Sequence, residues 1–302
     1  MYPAPPAVTA EIFTRLPDEL RVHATPVRMS GIVRDSLLEG PSFDREGNLY
    51  CVDIPYGRIF RVDPQGRFTL VKQYEGRPNG LKIHRDGTLY IADHALGLLT
   101  LDPASGRLET LLGSAWGEPF RGLNDLHFAA NGDLYFTDQG STGLEGPEGR
   151  VFCLRADGRL DRLLDHVPSP NGIVLTPDEK TLLVAVTRAN AVWNVPLHLH
   201  APGVVRRVGT FIHLSGGTGP DGLAMSEEGH LLVAHVGMGV VWVFDRRGIP
   251  VLRIDAPSGH GTTNMAFGGE DRRTLYITES ASGTILRVAL PFRGAPMFSR
   301  ST

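Results

Sequence analysis

The chain has 302 residues, and although it carries 36 Gly and 22 Pro, 41% of it is hydrophobic, which excludes a disordered or collagen-like chain and leaves a globular one with many turns. Thirty Lys and Arg against 33 Asp and Glu give a formal net charge of -3. That balance has no basic surplus for a phosphate backbone or an acidic membrane surface, so neither nucleic acid nor membrane is expected as a partner.

From the start, MYPAPPAVTAEIF lacks the basic and apolar regions of a signal peptide, and no stretch reaches the length needed to span a bilayer. Cys51 and Cys153 lie in the apolar runs LYCVDI and VFCLR and cannot make a disulfide framework; they read as buried free thiols, consistent with a soluble cytoplasmic protein. Residues up to about 10 read as an extension, followed by two strand candidates, AEIFTRL and LRVHATPV. A long helix over IFTRLPDELRV is ruled out by Pro17.

From there one pattern recurs six times. The copies are EGPSFDREGNLYCVD from Glu39, NGLKIHRDGTLYIAD from Asn79, NDLHFAANGDLYFTD from Asn124, NGIVLTPDEKTLLVAVT from Asn171, DGLAMSEEGHLLVAHV from Asp221 and TNMAFGGEDRRTLYITES from Thr263. Their starts are 40, 45, 47, 50 and 42 residues apart. Each alternates apolar positions at period two, breaks at a Gly, Asn or Asp turn and resumes as a β-branched or aromatic run, the pattern of a hairpin. Most continue into a third strand and a second turn, as in GRIFRVDPQGRFTLV and VVWVFDRRGIPVLRI. Four antiparallel strands per 40 to 50 residues is the blade of a β-propeller. The expectation is an all-β, six-bladed propeller forming one domain over residues 1–302. Because ILRVAL near the C-terminus supplies only a third strand, the N-terminal segment is expected to close the last blade.

Aligned by their alternation, Glu39, Asn79, Asn124, Asn171, Asp221 and Thr263 share one position at the start of the innermost strand, and six-fold equivalence puts them at one mouth of the central channel. Converging acids and amides need water or a cation to satisfy them. One divalent metal ion fits, Ca2+ before others, since calcium takes six to eight oxygen ligands in flexible geometry and two carboxylates neutralise it. Mn2+ and Mg2+ suit the same oxygens; Zn2+ suits them less, as no Cys or His falls on the ring. The alternative is that these residues begin strands only as turn formers, as Asn-Gly and Asp-Gly commonly do.

Together LEGPSF, RPNGL, LNDLHFAANGDLYFTD, PNGIVLTPDEKTLLVA, PDGLAMSEEGHLLVA and TTNMAFGGEDRRTLYIT resemble the gluconolactonase and regucalcin (senescence marker protein) family, whose relatives include diisopropyl fluorophosphatase. The likeness runs in order from about Glu11 to Pro291. It implies a propeller with one divalent metal, usually calcium, and usually lactone hydrolysis. By the family's motifs the metal ligands are Glu39, Asn124, Asn171 and Asp221. Where regucalcin-like sugar lactonases carry an Arg two residues before the third-blade Asn, this chain has Gly122, beside Arg121. Where some fluorophosphatase relatives bind a second calcium, it has Ala224.

The second strand of each blade returns to the same mouth. Asp53, Asp93 and Asp138 recur there in one register, which favours a structural role in tying down loops. The unrepeated residues His94, Arg188 and His235, with Asn79 on the ring and Trp116, Arg121 and His260 on loops, are the candidates to face substrate, and Met238 adds an apolar wall. The pair His198 and His200 is read as an outer strand or loop. GTGPDG from Gly217 matches a dinucleotide fingerprint but precedes a hairpin rather than a helix. The leading expectation is a hydrolase that opens a small lactone, with the metal as Lewis acid and Asp221 activating water. The alternatives are a phosphotriester or fluorophosphate hydrolase on the same site, or a non-enzymatic metal-binding propeller.

Overall fold

The period-two alternation of each copy folds as a four-stranded antiparallel sheet, and six such sheets surround a channel in the computed structural model, which describes residues 3–23, 27–29, 32–197 and 207–300. The innermost strands are Leu38–Phe43, Pro78–Ile83, Leu123–Phe128, Pro170–Leu175, Gly219–Met225 and Thr262–Gly268. The remaining three strands of a blade follow outward by short hairpins, as in Leu49–Asp53, Arg58–Val62 and Phe68–Gln73 of the first. His198 and His200 lie outside the described residues, and no helix among the described residues is long and apolar enough to cross a membrane.

Both faces of every sheet are buried, so the hydrophobic core is divided into six parts, one between each pair of neighbouring blades. Leu38, Phe43, Phe60 and Ile285 fill the space between the last blade and the first; Phe136, Phe152 and Leu98 fill that between the second and third. Cys51 and Cys153 are fully buried free thiols in two of these cores.

The ring is closed from the N-terminus. Glu11–Arg15 pairs antiparallel with Thr284–Ala289 and becomes the outer strand of the sixth blade, as AEIFTRL suggests. The second candidate does not join it: Asp18–Leu20 is a short 3-10 turn, and Val27–Met29 pairs with Ile32–Arg34 in a hairpin of its own. Pro17 has no N–H to donate to a ladder, which ends the strand after Arg15. Ala7–Thr9, which sequence leaves outside the blades, adds a fifth, parallel strand to the fifth blade by pairing with Arg253–Asp255. At the far end of the channel the C-terminal segment crosses the strand ends. Ala295 N–H donates to Met225 O at 2.8 Å, Ser299 Oγ to Phe43 O at 2.8 Å, and Phe298 stacks on Phe128 at 4.6 Å. It covers a cavity of about 110 Å³.

Near the other mouth the inner strands approach more closely than side chains allow. A Cβ on Gly40 would stand 2.7 Å from Asn79 O, one on Gly80 2.6 Å from Asn124 O, one on Gly172 2.3 Å from Asp221 O, and one on Gly222 2.2 Å from Asn264 Cγ. Glycine after the ring residue is therefore a packing requirement, not merely a turn signal. Gly172→Ala is expected to lower unfolding free energy in denaturant titration by about 1–3 kcal/mol through overpacking. Gly209→Ala, on an outer strand with nothing within 4 Å of the added carbon, should stay within about 0.5 kcal/mol of the parent.

Candidate active site

Every inner strand is irregular at or beside the ring position. Two residues, such as Asn171 with Gly172 or Asp221 with Gly222, oppose a single one on the second strand, because pairing jumps from Pro170↔Val186 to Ile173↔Val184 and from Pro220↔His235 to Leu223↔Val233. Such a bulge takes the extra residue off the ladder and re-aims its side chain. Hydroxyls of the preceding blade then fix the bulged backbone. Thr137 Oγ1 donates to Asn171 O at 2.8 Å, Thr187 Oγ1 to Pro220 O at 2.7 Å and Thr263 Oγ1 to Leu38 O at 3.2 Å. Thr263, aligned with the ring in sequence, thus spends its hydroxyl holding Glu39's strand.

Glu39, Asn124 and Asn171 are buried, and Asp221 keeps part of its surface accessible. Asn124 Nδ2 donates to Gln139 Oε1 at 3.0 Å, and Gln139 Nε2 to Ser169 Oγ at 3.0 Å, which leaves the Asn124 amide oxygen as its free acceptor. Below the ring, the two positions that are not glycine put Asp125 and Asn264 into the channel. Asn264 Nδ2 bridges Glu39 Oε2 at 2.9 Å and Asp125 Oδ2 at 3.3 Å, tying the first, third and sixth blades together. One step deeper, Lys82 Nζ stands 3.8 Å from Asp125 Oδ1. His127 is enclosed beside it, and burial with the Lys82 charge pushes its pKa down to about 3. Sequence alignment of the first ring position alone misses this lower layer; the signal was the replacement of glycine by Asp125 and Asn264 in the second position.

Burial, then the negative charges of Asp221 and Asp125, hold the Glu39 carboxyl well above the usual range. Burial first and Asp125 second raise Asp221 from 3.8 to about 8, against a hydrogen bond from Asn171. Asp125 has Lys82; among the described residues no cationic side chain pairs with Glu39 or Asp221. Nor, among them, does any group of three or more His, Cys, Asp and Glu side chains form a closed metal cluster. The donor set is mixed: two uncompensated carboxylates and two amide oxygens at one channel mouth. That chemistry fits one hard divalent cation of the calcium type and suits zinc less.

The second-strand carboxylates are committed to the frame. Asp53 accepts from Leu37 N at 2.7 Å and pairs with Arg58; Asp93 accepts from Tyr74 Oη at 2.8 Å and Arg77 N at 2.9 Å; Asp138 accepts from Arg121 N at 2.7 Å and pairs with the fully buried Arg150. Glu279 does the same for Gly261 N at 2.8 Å. Each clamps the loop that enters its own blade's inner strand. His235 is a further strut rather than an open contact, being 1% exposed, with Nε2 3.0 Å from Gly216 O and Nδ1 accepting from Trp242 Nε1 at 3.2 Å. The Arg121 guanidinium donates to Glu118 Oε1 at 2.9 Å and Glu148 O at 2.5 Å and so links two loops. Asn79 is half-buried on the ring, Arg188 and His260 are exposed on mouth loops, and Trp116 is 65% exposed. His94 is half-buried over Gly122, where an added Cβ would lie 2.3 Å from its ring. Burial, with Arg77 second, keeps its pKa below the ordinary value.

The profile of the SMP-30/Gluconolactonase/LRE-like region matches residues 37–281. Lactonase drp35 of Staphylococcus saprophyticus is 32% identical over 247 residues, 76% of this chain and 74% of that one, and drp35 of Staphylococcus aureus strain MRSA252 is 30% identical over 73% and 70%. Among solved structures, the calcium-binding protein regucalcin from Agrobacterium tumefaciens superposes with a TM-score of 0.73 at 26% identity, over 96% of this chain and 98% of that one. A gluconolactonase from Xanthomonas campestris shares the fold, with a TM-score of 0.74 at 24% identity over 95% and 99%.

A raised carboxyl pKa weakens the fold above the unfolded value of 3.8: the unfolded chain ionises there while the folded one keeps its proton, and the loss accumulates up to about pH 8. Cation binding removes that proton, so the gain from calcium should grow with pH. Melting temperatures of chelated and calcium-saturated protein should therefore diverge from pH 5 to pH 8; histidine titration, common to both samples, cancels. A gap independent of pH would contradict the assignment of Glu39 and Asp221 to the ion.

Proposed function

This chain belongs to the SMP-30/gluconolactonase/LRE-like family, and on that premise we propose that it is a metal-dependent hydrolase that opens a lactone to a hydroxycarboxylic acid. The single observation that carries the reading is the pair of uncompensated carboxylates, Glu39 and Asp221, converging with Asn124 and Asn171 at one mouth of the channel. The drp35 and gluconolactonase names of its relatives supply the lactone. We assign Glu39, Asn124, Asn171 and Asp221 as ligands of one divalent ion, calcium before manganese, magnesium or zinc. When bound, the ion supplies Lewis-acid polarisation of the lactone carbonyl.

The rest of the chemistry belongs to the chain. Asp221 is the one ring carboxylate with accessible surface, and its desolvated carboxyl has a higher proton affinity than an ordinary aspartate. Both properties suit a group that takes a proton from the attacking water. Glu39 is buried, and its Oε2 accepts from Gly40 N–H and the Asn264 amide, which fix the carboxyl as a ligand and keep it from the open mouth where water would be activated. Asn79, half-buried on the ring and without a side-chain hydrogen bond among the described residues, orients the substrate oxygens, and His94, packed over Gly122 with its pKa held low by burial, offers a second acceptor at the mouth.

Chelation should abolish turnover and calcium should restore it. At confirmed metal saturation Asp221→Asn should lose about two or more orders of magnitude in kcat. Glu39→Gln removes the same charge with no proton-transfer role and should lose much less once loaded. Equal, small losses in both variants would move the base to His94 or His260, and hydrolysis by exhaustively metal-free protein would end the metal mechanism.

A further inference from the structure

The channel continues past the ring. Three residues beyond each ring position the inner strands carry Ser42, Lys82, His127, Val174, Ala224 and Ala266, and all six line the cavity of about 110 Å³ that the C-terminal segment covers. This second ring is divided in two. The first three blades contribute a hydroxyl, an ammonium and an imidazole, and the last three contribute a valine and two alanines. Met225, Met265 and Phe267 add to the apolar lining.

The polar half is left unsatisfied by the protein. Ser42 is 6% exposed, yet its hydroxyl makes no hydrogen bond among the described residues, and neither does the His127 ring. Lys82 Nζ has Asp125 Oδ1 as its counter-ion at 3.8 Å, beyond hydrogen-bond distance. Asp125 belongs to the level nearer the ring, where the Asn264 amide holds it, and it does not line the cavity. Burial, with the Lys82 charge second, keeps the imidazole neutral, so it too has an N–H to give. Donors enclosed without an acceptor cost free energy that a ligand's oxygens would recover.

We infer that this cavity is a second binding site, separate from the ring, for a short-chain monocarboxylate: the carboxylate accepts from Lys82, Ser42 and His127, and the alkyl chain lies against Val174, Ala224 and Ala266. Charge and shape select this class. A carboxylate is acceptor-only and has lone pairs enough for all three donors, and its bond to an ammonium is stronger than that of an uncharged oxygen. An inorganic anion would leave the apolar half without a partner. Volume sets the chain length: a cavity of about 150 Å³ takes benzene, so one of about 110 Å³ takes about three to five carbons. No ring residue takes part, so the site stands or falls independently of lactone hydrolysis.

The test is an NMR titration of the calcium-saturated full chain with isotope-labelled methionine methyls, at constant ionic strength. Met225, Met265 and Met297 line the cavity, whereas Met238 lies beside Gly217 on the loop before Asp221, so the methyl shifts report which site a ligand enters. Butyrate should shift the three cavity methyls and bind about tenfold more tightly than acetate, the worth of two buried methylenes. It should also bind at least about tenfold more tightly than n-butanol. Ser42→Ala should weaken butyrate about tenfold, and Lys82→Met by more. Ala224→Leu keeps every donor but fills the apolar half and should abolish butyrate binding. Since Lys82→Met leaves Asp125 without its counter-ion, melting curves accompany the variants, and where that one is unfolded the other two decide. Shifts confined to Met238 would place the carboxylate on the ring ion and overturn the inference. So would the absence of any shift, n-butanol or chloride binding as tightly as butyrate, or undiminished affinity in Ser42→Ala and Ala224→Leu.

Discussion

Six inner strands converge on one axis, and at four of the six places where they meet there is no room for a Cβ. This crowding governs the rest of the site. It demands glycine one residue after the ring, brings bulges into the strands, and turns the preceding side chains together at the channel mouth. Where glycine is replaced, by Asp125 and Asn264, the side chain enters the channel and couples blades that share no hydrogen-bonded ladder. The cost of the convergence is electrostatic: three carboxylates lie within reach of one another in a desolvated space, and Lys82 answers only one of them.

Fixing such a site against its own repulsion requires a stiff frame. Part of it is the division of the core into six wedges, each shared by two blades, so that no sheet can move without disturbing both neighbours. Part is the repeated use of the second-strand residue that pairs just before the ring position as a clamp on the loop leading into the first strand. Asp53, Asp93, Asp138 and Glu279 do this with carboxylates accepting from loop amides, and His235 does it through its ring and the Gly216 carbonyl. Asp138 and Arg150 show the risk of the arrangement: both are fully buried, so either without the other would leave an unpaired charge in the core.

Against this frame, the third blade stands out because it departs from the repeat. Its connections 113–122 and 139–148 are longer than those of most blades, and Arg121 and Arg150 tie them to one another and to the sheet. The shared architecture thus supplies the ring, and the connections that depart from the repeat supply what is particular to the rim of this chain.

Sequence by itself determined the blade count, the strand alternation and the ring register, because these depend on local periodicity and on a glycine that recurs at fixed spacing. It also determined the loop-tying role of Asp53, Asp93 and Asp138, since repetition in one register marks a structural device. Tertiary structure decided what depends on neighbours far apart in the chain. Val27–Met29 left the sixth blade for a hairpin, and Ala7–Thr9 joined the fifth, because strand partners are chosen by exposed edges and not by composition. Thr263, His235 and Arg121 resembled site residues in sequence and proved to be hydrogen-bonded into the frame, for a side chain's commitments are invisible until its partners are in place. Asp125, Asn264, Lys82 and His127 became a channel layer only when the inner strands were brought within a few ångströms of a common axis, a distance that no pattern along one strand encodes.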